Sequence, residues 1–130
     1  MQNAKCEMQN EGNMSGNAAV EKSFAFSVRI VNLYKYLTKE YKEYVLSKQI
    51  LRCGTSIGAN IWEAQRGQSK ADFISKMSIA LKEANEAQYW LKLLYETEYV
   101  SKTQYDSLYA DSKEILSILM AICRTANEKK

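Results

Sequence analysis

Apolar residues recur along this chain at alternating spacings of three and four, the repeat of helices that turn one face inward. The first such run spans about Ala18 to Leu37 and carries two apolar lines. Phe24, Val28, Val31 and Tyr34 share one face, while Phe26, Ile30, Leu33 and Leu37 form the second. The segment "TKEYKEY", residues 38–44, reads as a charged connection. A second helix is predicted over roughly Val45 to Arg66, with Leu46, Ile50, Cys53, Ile57, Asn60 and Ala64 on its packing seam. It is expected to continue past Ala64, with Gly67 as a natural stop. Ser69 and Asp72 form a capping-box-like start for a third helix, whose face is Phe73, Met77, Ala80, Ala84, Ala87, Leu91 and Leu94 and whose end lies near Thr97. Ser101 and Gln104 make a second capping box. From there the fourth helix runs to about Asn127, with Tyr105, Leu108, Ser112, Ile115, Leu119, Ile122 and Ala126 facing inward. Connections of a few residues favour antiparallel neighbours. The expected fold is therefore all-α, an antiparallel up-down-up-down four-helix bundle over residues 19–127. A polar, disordered leader is expected over residues 1–18 and a frayed C-terminus over 128–130.

Composition supports long helices and narrows the chemistry. In 130 residues there is no proline and there are only five glycines, which excludes a sheet protein built on tight turns. No apolar run approaches the roughly 20 residues that cross a bilayer, and the N-terminus lacks the order of a signal peptide. Cys6, Cys53 and Cys123 show no metal-binding or redox spacing and fit a reducing cytoplasm. Histidine is absent. That removes the commonest general base, the nucleophilic triads and the usual zinc and di-iron sites. Glu63 with Glu83 or Glu86, on facing helices, is the remaining carboxylate arrangement for metal or acid–base work. Glu63 is instead expected to pair with Arg52 or another cation. No enzyme activity, cofactor, metal or small-molecule substrate is expected.

Charge adds a polarity that the net value of +3 hides. Between Lys22 and Lys82 stand 11 Lys and Arg against 4 Asp and Glu, whereas the remainder of the chain is net acidic. A basic front half suits a polyanion through phosphate contacts that need positive charge and no base-reading motif. The candidates are Lys22, Arg29, Lys35, Lys39 and Lys42, followed by Lys48, Arg52, Arg66, Lys70 and Lys76. Trp62, Trp90 and Leu93 lie off the main stripes of their helices and point to a homo-oligomer interface. The competing reading is a protein-interaction scaffold without nucleic acid, which the surplus apolar residues and nine tyrosines also suit.

The segment "GTSIGANIWEA", residues 54–64, is unusual for a helix interior, where each glycine costs on the order of 1 kcal/mol relative to alanine. Gly54 and Gly58, four apart, stack on one face and invite the close approach of another backbone. Ser56, Asn60 and Glu63 form a polar stripe beside them, with Asn60 read as a register-fixing residue. These residues carry a resemblance. Gln49, Arg52, Ser56, Ile57, Asn60, Ile61, Glu63 and Ala64, followed by Asp72, Phe73, Ile74, Ile79, Ala80 and Glu86, resemble the core of the 23S ribosomal RNA intervening-sequence protein family. That family is related to the accessory variability protein of diversity-generating retroelements. The resemblance implies a four-helix bundle assembled into a homo-oligomeric ring, commonly a pentamer, without known enzymatic activity. An RNA or ribonucleoprotein partner is implied for some members.

Overall fold

The computed structural model describes residues 14–128, with side chains from Ala18 onward. Most of the expected leader and the last two residues lie outside the described residues. Four helices account for nearly all of the rest: α1 (Met14–Tyr41), α2 (Leu46–Ala64), α3 (Lys70–Glu96) and α4 (Lys102–Glu128). Each packs against its neighbours in the chain, and α1 closes the bundle on α4. Among the described residues no diagonal pair meets, and the α1–α4 seam is the sparsest of the four. This is the up-down-up-down arrangement that the short connections dictate.

Of the two apolar lines on α1, the one turned inward is Phe26, Ile30, Leu33 and Leu37. It shares one core with Ile50, Cys53, Ile57, Ile61 and Ala64 of α2, the small and long residues Met77, Ala80, Ala84, Ala87, Leu91 and Leu94 of α3, and Leu108, Ile115 and Leu119 of α4. Every buried polar side-chain atom among the described residues has a partner. Ser112 is an example: its hydroxyl donates to the Tyr109 carbonyl at 2.7 Å and accepts from Gln88 Nε2 at 3.1 Å.

Two connections differ from the sequence expectation. Helix α1 continues through Thr38 to Tyr41. There Tyr36, Tyr41 and Tyr99 form a chain of edge-on ring contacts (centroids 5.8 and 5.2 Å apart) that rewards the extra turn. Glu43 then serves as the cap of α2, because its carboxylate accepts from the backbone N–H groups of Val45, Leu46 and Ser47 at 3.1, 2.9 and 2.7 Å. Helix α2 does not run past Ala64. It tightens into i→i+3 bonds through Gln65, Arg66 and Gly67. Gly67 has no positive φ, so it does not act through a left-handed conformation. A Cβ there would meet the Ala64 carbonyl, Asp72 Cβ and Phe73 N, each at 3.3 Å, so the tight turn favours glycine for space.

The remaining caps match the sequence. Asp72 N–H donates to Ser69 Oγ at 3.1 Å. Ser101 and Gln104 bond reciprocally, at 2.8 and 3.1 Å. The end of α3 is a Schellman turn, with Tyr99 N–H on the Leu94 carbonyl and Glu98 N–H on that of Tyr95. Glu98 occupies its left-handed position, with φ 70°.

Candidate nucleic-acid interface

The ten candidate cations separate into two groups. Four are engaged with carboxylates. Lys22 meets Glu114 at 3.2 Å and Arg29 meets Asp111 at 2.7 Å, both across the α1–α4 seam. Lys76 meets Glu63 at 2.8 Å across the α2–α3 edge. Arg52 reaches from α2 to both Glu83, at 3.3 Å, and Glu86 of α3. Lys35, Lys39, Lys42, Lys48, Arg66 and Lys70 make no ion pair among the described residues, and all six are exposed.

These six stand near the two ends of the bundle. Lys35 and Lys39 lie four apart near the end of α1, Lys42 follows in the connection with a left-handed φ of 52°, and Lys48 stands in the first turn of α2. Arg66 and Lys70 flank the opposite connection. Going back along α1, the same exposed line is apolar: Val28 and Phe24 are 47% and 58% exposed. Phe24 lies against Trp62 of α2, with ring centroids 6.3 Å apart, and Trp62 is itself 51% exposed. The two rings border a shallow groove of about 260 Å³ with Ser27, Thr55, Gly58 and Ala59. The outer α1–α2 face is thus apolar toward one end of the bundle and lysine-rich toward the other.

The glycines explain how this face is built. A Cβ on Gly54 would come within 2.9 Å of two carbons of the buried Ile30 side chain. One on Gly58 would sit 3.0 Å from Ser27 Oγ and 3.2 Å from the Ser23 carbonyl oxygen. Both glycines therefore admit α1 against α2, as their spacing predicts.

Asn60 does not lie on the seam; Ile57, Ile61 and Ala64 do. It is half-buried, and its Nδ2 donates within its own helix, to the Ser56 carbonyl at 2.9 Å and Ser56 Oγ at 3.0 Å. With Arg52, Ser56 and Glu63 it forms the edge of α2 that faces α3. Glu63 and the pair Glu83 and Glu86 bind different cations, so the carboxylates singled out for metal or acid–base work are not brought together. Among the described residues, no group of three or more metal-ligating side chains converges.

Nor do the three residues expected at an oligomer interface form one surface. Trp62 belongs to the α1–α2 face. Trp90 is half-buried against the core on α3, and its indole N–H donates to Glu86 Oε2 at 3.0 Å. Leu93 is half-buried one helical turn further along α3. The bonds from Trp90 and Arg52 hold the Glu86 carboxyl below the usual glutamate range. Trp90 thereby completes a chain from Arg52 through Glu86, a role that only the pairing across helices reveals. The sequence alone did not pair Phe24 with Trp62 either, although the line of outward apolar residues on α1 carried the signal.

No helix among the described residues is long and apolar enough to cross a membrane. No protein of curated function matches this chain. A crystal structure of a protein of unknown function from the S23 ribosomal protein family of Bacteroides thetaiotaomicron shares 59% identity over 85% of this chain and 98% of its own, with a TM-score of 0.83. Residues 16–121 match the family described as 23S rRNA-intervening sequence protein. That match takes in all but the ends of the four helices, so this chain belongs to the 23S rRNA-intervening sequence protein family.

Proposed function

We propose that this chain is a non-enzymatic helical-bundle protein that self-associates through the apolar half of its α1–α2 face and binds RNA, or an RNA–protein complex, through the basic half. The observation that carries the proposal is the row Lys35, Lys39 and Lys42 with Lys48 beyond it. These are four exposed cations without carboxylate partners among the described residues, gathered at one end of one face. Contacts of this kind are led by charge and shape, so sequence preference is expected to be weak.

The test is a titration of structured RNA at increasing salt. Binding should weaken steeply with ionic strength. Changing Lys35, Lys39, Lys42 and Lys48 together to Gln should flatten the slope of log K on log salt by about 0.7–0.9 for each phosphate that is no longer neutralised. Changing Lys22 and Lys76, which are already paired, should do much less. Binding that ignores salt, or survives the fourfold change intact, overturns the proposal. The exposed Phe24 and Trp62 also favour a second reading, a scaffold for protein partners alone. A partner that co-purifies after nuclease treatment, with no RNA binding at low salt, selects that reading.

A further inference from the structure

Eight of the nine tyrosines, all but Tyr89, lie in the last turns of α1 and α3, the first turns of α4 and the connections beside them. Antiparallel packing brings these segments to one end of the bundle. Four of these tyrosines, Tyr36, Tyr41, Tyr95 and Tyr99, line an open cavity of about 510 Å³. Their arrangement is neither a simple stack nor a filled core. Tyr36 and Tyr41 meet at 73° and Tyr41 and Tyr99 at 83°, while Tyr95 is stacked on Tyr105 at 13°. An edge-on pair leaves the ring that presents its edge with both π faces available, and a tyrosine face is electron-rich.

The charge of the wall points the same way. Two ionic side chains line the cavity, Glu98 and Lys102. Lys102 is held by Asp106, with Nζ 2.7 Å from Oδ2. Glu98 has no ion-pair partner among the described residues, and its backbone is fixed at a left-handed φ by the Schellman turn that ends α3. The uncompensated charge on the wall is therefore a carboxylate, set beside several aromatic rings. An anion entering here would meet Glu98 and find the neighbouring ammonium already engaged. This cavity opens between α1 and α4, at the same end of the bundle as the lysine row but lined by none of its four lysines.

We infer that the cavity framed by Tyr36, Tyr41, Tyr95, Tyr99 and Glu98 binds a small organic cation of the quaternary ammonium type. The rings supply face contacts to the spread positive charge, and Glu98 supplies the counter-charge without requiring hydrogen-bond donors on the ligand.

The experiment is a titration of the full chain with choline, followed by the NMR signals of tyrosine-ring carbons. The neutral alcohol of the same shape, 3,3-dimethylbutan-1-ol, serves as the control. Choline should shift the cavity tyrosines saturably and bind roughly five- to tenfold more tightly than the alcohol. Glu98→Gln, at an exposed turn, should weaken choline severalfold and leave the alcohol unchanged. Tyr41→Ala should weaken choline about tenfold, while Tyr41→Phe retains it; far-UV circular dichroism checks that each variant is folded. Equal binding of choline and the alcohol, no saturable shift at tens of millimolar, or a preference of the same signals for uridine monophosphate would each overturn the inference.

Discussion

At the scale of single residues, Gly54 and Gly58 decide how closely two helices approach, and they do so against their own helix propensity. Substituting alanine should gain up to about 1 kcal/mol in propensity. At Gly54, however, the new methyl collides with a fully buried isoleucine, and at Gly58 it presses on the Ser23 backbone. Overpacking of that kind typically costs about 1–3 kcal/mol. Gly54→Ala should therefore destabilise by up to about 2 kcal/mol net in a denaturant titration, whereas Ala59→Gly, on the exposed side of the same helix, should cost only the propensity difference. If Gly54→Ala stabilised the protein, the close-approach account would fail. This pair was readable from spacing alone, because a four-residue repeat of glycine has one geometric consequence on a helix. Asn60 was not. Being one residue from a seam looks the same as being on it until the neighbouring helix is placed, and the amide is satisfied by Ser56 without leaving α2.

At the scale of elements, the helices and their buried faces were legible because each repeats one period over five or more turns. The caps at Ser69 and Ser101 were legible because a capping box is a local pattern. The cap by Glu43 was hidden inside a charged run, where one carboxylate looks like another. Burial pushes its carboxyl upward, but the N–H groups of Leu46, Ser47 and Val45 outweigh it and hold the group below the ordinary glutamate range. A depressed folded value means stabilisation that is fully present above the unfolded value of about 4.3 and is lost as pH falls through the lower folded one. Glu43→Gln should cost about 0.5–2 kcal/mol at neutral pH, the range of N-terminal caps. The deficit should shrink toward zero as pH falls below the usual carboxylate range. Thermal melts of both proteins from pH 7 to pH 3 read this directly, and a deficit that grows on acidification would refute it.

At the scale of the whole molecule, the arrangement of exposed groups matters more than their number. Four of the ten candidate cations in the basic half-chain are taken up by carboxylates, and three of those four pair with α3 or α4, a division that only the tertiary structure shows. What is left is a face with an apolar end and a cationic end. Trp62→Ser together with Phe24→Ser should lower the mass seen by light scattering toward that of one chain and leave the helix content unchanged, because both side chains lie outside the core. An unchanged mass would overturn self-association through this face.

The four seams of the bundle are not equivalent, and this bears on how the protein moves. Three of them join helices adjacent in the chain, whereas α1 and α4 are the two most distant in sequence. Their contact is also the sparsest, and it is bridged at its rim by Lys22 with Glu114 and Arg29 with Asp111. Such exposed pairs hold with roughly 1 kcal/mol or less each. It follows that the least costly excursion from the native state is a parting of the first and last helices, like a book opening at its unbound edge, with the three spines intact.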